Sequence, residues 1–148
     1  MGFVRVVGGY VVAVLALGFA ATVLSSVMVL AMLEAVGADI GTGQAMSQIG
    51  DDLAGFGPLY SALIALALAV AFIAAALVTR VLRPLRPIVF VVAGAVAMGV
   101  MLTLMEQVFF GVQMVAGART TAGFLAQVGA GAAAGLIYAM LTPGPKRS

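Results

Sequence analysis

From Thr79 to Pro87 the chain reads Thr-Arg-Val-Leu-Arg-Pro-Leu-Arg-Pro, a stretch that holds three of its seven basic residues and two of its five prolines between long apolar runs. Pro84 and Pro87 lack backbone donors and push Arg83 and Arg86 away from helical geometry, so one helix stops before them and another starts after them. The arginines also assign a side, because short loops rich in Lys and Arg stay in the cytoplasm. The stretch is therefore a hinge between two membrane-spanning helices, and the other segments take their orientation from it.

Composition identifies lipid as the solvent. The 148 residues are 64% apolar and 8% charged, against roughly 45–50% and about 25% for soluble domains. Mean hydropathy is +1.25. The length suits one compact unit, read as a single membrane domain over 1–148. The net charge of +2 arises from residues flanking apolar runs rather than from a patch, so nucleic acid is not an expected partner. Cysteine and histidine are both absent, which removes disulfides, thiolate and imidazole chemistry and the commonest zinc and haem ligands. No cofactor and no metal is expected.

Hydropathy divides the chain into spans at about 3–33, 59–82, 87–110 and 120–141. The first run far exceeds the roughly 7–15 apolar residues of a removable signal, and is read as a tilted or protruding span. The fold class expected is an all-α integral membrane protein, a four-transmembrane-helix bundle with both termini cytoplasmic. Charge distribution agrees with that topology: Arg5, Arg80, Arg83, Arg86, Lys146 and Arg147 fall inside and Arg119 alone outside. Glu34, Asp39, Asp51, Asp52 and Glu106 all fall at or toward the outside. The expected location is a bacterial-type inner membrane, with loop 34–58 on the outer side.

Within that loop Met46, Ile49, Leu53 and Phe56 recur at helical spacing, which predicts a short helix over 45–56 with those residues on one face and Gln48, Asp51 and Asp52 largely elsewhere. Such a helix either lies on the outer leaflet or covers an outward-facing pocket. Tyr60 is read as an interfacial anchor at the outer edge of the second span.

Helix association in lipid relies on small residues that let backbones approach. Gly131 and Gly135 form a GxxxG, extended along the same ridge by Gly123; the first span offers Gly9, Ala13, Ala21 and Ser25 on such a ridge, and the third offers Ala95 and Gly99. In a chain of four spans this motif is read as intramolecular packing. Met98, Met101 and Met105 form a stripe read as packing rather than as a metal site.

Polar residues gather toward the outer half, and the inner half is almost wholly apolar. The candidate outer cluster is Glu106, Gln107, Arg119 and Gln127, joined by Asp51 and Asp52 from the loop. A channel or proton-coupled carrier needs polar groups along its whole path. The expectation is thus a small non-enzymatic protein whose outward-facing, largely apolar pocket or interface binds a lipid-like molecule or a partner membrane protein, as an accessory or oligomeric subunit. The expected partners are membrane lipids and a second copy or another membrane protein. The alternatives are a transporter or channel with its path between protomers, and an enzyme acting on lipids.

Overall fold

The computed structural model describes residues 2–108, 110–111 and 115–142. Five α-helices follow in order: α1 Gly2–Ala35, α2 Thr42–Gly55, α3 Gly57–Val81, α4 Arg86–Val108 and α5 Thr121–Leu141. Single 3-10 turns occupy Arg83–Leu85 and Ala116–Ala118. There is no strand among the described residues. All except α2 are long and apolar enough to cross a membrane.

Local sequence sets the helix ends. α1 closes in a glycine turn: Gly37 adopts φ +88°, and the Ala38 amide donates back to the Leu33 carbonyl at 3.0 Å, a left-handed stop that glycine adopts without strain. α3 carries Pro58 in its first turn and ends before the Arg83-Pro84 pair, since a proline there removes the next ladder donor. Thr120 caps α5, its hydroxyl accepting from the Gly123 amide at 3.1 Å.

The four long helices form a ring in which α1 touches α3, α3 touches α4, α4 touches α5 and α5 returns to α1. The tightest seam is α4 against α5. A Cβ built at Gly94 would overlap the Gly131 carbonyl, one at Gly135 the Phe90 carbonyl, and one at Gly131 both Gly94 and the Met98 side chain. Backbone therefore lies on backbone here. The α4 side of the seam is the row Phe90, Gly94 and Met98; Ala95 is half-buried, and Gly99 meets only the side chains of Val128 and Phe124. Gly123 approaches the Gly117 carbonyl at the other end of α5.

At the hinge end, Phe72 stacks on Tyr138 at 4.5 Å and Phe90 meets both rings, at 5.5 and 4.9 Å, which ties α3, α4 and α5 together. Arg86 does more than mark topology. Its guanidinium donates to the Ala139 carbonyl at 2.8 Å and to the Thr142 hydroxyl, and lies 5.1 Å from the Phe90 ring centroid. It thereby satisfies one of the carbonyls that the last turn of α5 leaves without an intrahelical donor. Arg5, Arg80, Arg83 and Arg86 all lie at this basic end, and Glu34, Asp39, Asp51, Asp52 and Glu106 at the opposite, acidic end. Lys146 and Arg147 lie outside the described residues.

α1 overshoots the ring. Gly57, the first residue of α3, lies beside Thr22, so α1 runs on from Thr22 to Ala35, about 20 Å at 1.5 Å per residue. This overhang is a platform. α2 lies along it, and the 3-10 turn Ala116–Ala118 rests on Ser25, whose hydroxyl accepts from the Gly117 amide at 3.1 Å.

The glycine seam generates a test. Leucine at position 131 or 135 would drive four carbons into the α4 backbone, so Gly131→Leu and Gly135→Leu should cut folded yield in mild detergent several-fold. Ala133→Leu, on the exposed face of α5, should leave it near the parental value. Size-exclusion chromatography reads the yields, and equal yields from all three variants would contradict the seam.

Candidate functional site

Three features begin at the acidic end of the bundle: a buried polar link, a polar pocket and an apolar cleft. The link begins with Tyr60. Rather than standing at the interface, it is fully buried and donates to Gln127 Oε1 at 3.3 Å, while Gln127 Nε2 donates to the Ala21 carbonyl at 2.9 Å. The correction follows from the overshoot of α1, which makes the start of α3 an interior level. The link joins α3, α5 and α1. Apolar surroundings offer buried polar groups no water, so each must find a protein partner.

The polar pocket lies one turn above, beneath α2, with a volume of about 290 Å³. Thr22, Ser25 and Ser26 of α1 form its floor, and Gln48 and Asp52 of α2 its roof, with Phe56 at one side. Ser26 Oγ lies 2.7 Å from Asp52 Oδ2 and 3.1 Å from the Thr22 carbonyl, so its proton is shared between two acceptors. α2 is turned from the face that apolar spacing predicts: Met46 is 66% exposed, while Gln48 and Asp52 face inward beside the half-buried Ile49, Leu53 and Phe56. The surface beneath supplies the reason. The α1 overhang presents hydroxyls there, and polar side chains of α2 turn to meet them.

The apolar cleft is larger, about 720 Å³, and lies between α3 and α4. Its floor is built from small side chains on both helices, Ala67, Ala71 and Ala74 on α3 and Ala97 on α4, with Met101 beside them. Exposed Leu66 and Val70 stand on one rim and Val100 and Leu104 on the other. All of its lining residues are apolar. From Ala74 to Phe56 the cleft follows α3 for about 27 Å. It opens sideways between the helices and not toward the acidic end, because the centre of that end is filled by Tyr60, Gln127, Met98 and Leu102. Phe56, which stacks on Tyr60 at 5.1 Å, borders both the cleft and the polar pocket.

The candidate outer residues are thus distributed rather than gathered. Gln127 lies at the bundle centre and Asp52 in the pocket. Glu106 is half-buried near the end of α4, and its carbonyl accepts from the Gly111 amide at 2.7 Å. Gln107, Asp51 and Arg119 are exposed. Met98 packs in the core against Gly131, whereas Met101 and Met105 line the cleft. Spacing did not single out Thr22 and Ser26 as a pair of site residues. Their four-residue separation, in a first run ten or so residues longer than a bilayer needs, was the signal present in the sequence.

The fold defines an all-helical protein with four helices of membrane-spanning length and apolarity. No protein-family model, curated protein or solved structure matches this chain.

The polar link has a measurable coupling. Gln127→Leu should destabilise the protein by about 1 kcal/mol and Tyr60→Phe by less. The double variant should lose less than the sum, with a coupling of about 0.6 kcal/mol, the average for hydrogen bonds between membrane helices. Thermal unfolding in detergent checks it, and strict additivity would remove the link from the account.

Proposed function

We propose that this chain is a non-enzymatic, multi-pass protein of a bacterial-type inner membrane, and that it binds one lipid-like molecule along the α3–α4 cleft. The observation that carries this reading is the cleft itself. It is long and wholly apolar, and it is bordered at its acidic end by Phe56 with polar groups just beyond. Small-molecule sites combine a mainly apolar lining with a few polar groups that orient the ligand. A lateral opening between two spans gives access from the bilayer rather than from water. The bundle axis offers no comparable passage, since Leu17, Ile64, Leu68 and the rings of Phe72, Phe90 and Tyr138 fill it. This supports binding over conduction through a single chain.

The separation of basic and acidic ends supports an orientation with the Arg83–Leu85 turn and both termini in the cytoplasm and α2 outside. The absence of native cysteine makes this testable by labelling. Gly43→Cys should react with an impermeant maleimide added to intact cells, and Arg83→Cys only after the membrane is opened. The reverse pattern would invert the topology.

Occupancy of the cleft is tested by photo-crosslinking with a lipid whose acyl chain carries a diazirine. Crosslinks should concentrate on Leu63, Ala71, Val100 and Met101, and Ala71→Trp, which fills the floor, should reduce them several-fold. An even spread over exposed residues such as Leu15, Phe19 and Leu125 would refute the site.

A further inference from the structure

The polar pocket beneath α2 has a chemistry of its own. Its oxygens are the Asp52 carboxylate, the hydroxyls of Thr22, Ser25 and Ser26 and the Gln48 amide carbonyl. Most are acceptors with capacity to spare. Thr22 and Ser26 spend their protons on the Gly18 carbonyl and on the Thr22 carbonyl and Asp52, which leaves their lone pairs available. Among the described residues the Asp52 carboxylate accepts from Ser26 alone, its backbone carbonyl taking the Phe56 amide, and no lining side chain is basic. The site is thus a half-enclosed pocket with the Asp52 carboxylate as its one formally charged side chain, in which the Ser25 hydroxyl and the Gln48 amide can donate as well as accept.

Such a pocket selects a cation that donates hydrogen bonds or presents a diffuse positive charge. An anionic head would meet Asp52 at short range and be repelled. Phe56 closes one side of the pocket with its ring stacked on Tyr60. Phe56 also borders the apolar cleft, so the pocket and the cleft share this ring in their linings. A head held at Asp52 and a chain laid over Ala67 and Ala71 would occupy both sides of that ring.

We infer that the pocket formed by Thr22, Ser26, Gln48, Asp52 and Phe56 is the head-group subsite for an alkylammonium amphiphile whose chain lies in the α3–α4 cleft. This rests on the cleft as a lipid-like site and adds the class of head that it accepts. The 290 Å³ of the pocket is room for a small amine head. α2 supplies both roof residues, so movement of α2 on its connections at residues 36–41 and at Phe56 would admit or release the head.

The test uses the full chain in phosphatidylglycerol nanodiscs, whose lipid carries no ammonium head, with binding of radiolabelled dodecyltrimethylammonium, dodecanol, dodecyl sulfate and the tail-less tetramethylammonium measured above empty discs of the same lipid. Dodecyltrimethylammonium is expected to bind about tenfold more tightly than dodecanol, and dodecyl sulfate more weakly than either. Asp52→Asn should lower affinity for the ammonium probe about tenfold and leave dodecanol unchanged, with Asp52→Glu restoring most of the loss. Gln48→Arg places a cation in the pocket from the surface of α2, and should weaken the ammonium probe and strengthen the sulfate. Ala71→Trp should weaken all three chains alike. If Asp52→Asn and Gln48→Arg leave the ammonium preference intact while Ala71→Trp still weakens binding, the head-group assignment is wrong and the cleft reading stands. Binding of tetramethylammonium as tight as that of the long-chain probe would detach the pocket from the cleft and overturn the amphiphile. If no chain binds above empty discs, both readings fall.

Discussion

Backbone contact between α4 and α5 is the constraint on which this structure depends. Lipid tails are as apolar as leucine, so burying more leucine against a neighbouring helix gains little, and close approach with its many small dispersion contacts must hold the bundle. Gly94, Gly131 and Gly135 permit that approach, and a methyl group at any of them would overlap a facing carbonyl. Once α4 is fixed on α5, Arg86 reaches the last turn of α5, and Phe72, Phe90 and Tyr138 close the basic end. The neighbouring pair behaves differently. α3 meets α4 across alanines, and where small side chains face each other without glycine contact, a cleft remains.

The second organising fact is the length of α1. Its 34 residues exceed what the hydrocarbon requires, and the excess stands above the ring as a hydroxyl-bearing support. Polar atoms there cannot be left bare against apolar neighbours, so the loop elements fold onto them: the Gly117 amide onto Ser25, and Asp52 onto Ser26. The same logic operates one turn lower, where Gln127 has both ends of its amide engaged. A charged pocket, a satisfied polar layer and an apolar cleft are thereby stacked within a few helical turns, and Phe56 borders two of them.

Much of this was legible in the sequence, and what was not has identifiable causes. Hydropathy shows four long apolar helices because each run is apolar around its whole circumference. The Gly131 and Gly135 spacing marks a ridge wherever it packs. The face of α2 was harder: periodicity follows apolar side chains, but the surface under α2 is polar, so Gln48 and Asp52 turn inward and Met46 turns out. Tyr60 sits where an anchor would sit if all spans were of equal length, and the overhang of α1 makes that level an interior. Arg86 contributes to any count of basic residues, yet its hydrogen bonds to the end of α5 depend on a helix more than fifty residues away. The cleft is the least local feature of all. It requires Ala67 and Ala71 to face Ala97 and Met101 across a hinge, and no single stretch of sequence encodes that facing.

Whether the α3–α4 cleft holds an amphiphile can be seen in a high-resolution structure of the protein in a native-lipid nanodisc. Elongated density is expected over Ala67, Ala71 and Met101, ending at Phe56, with a compact head within hydrogen-bonding distance of Asp52. A cleft closed by direct contact of α3 with α4, or filled by a helix from a second copy of the chain, would contradict it.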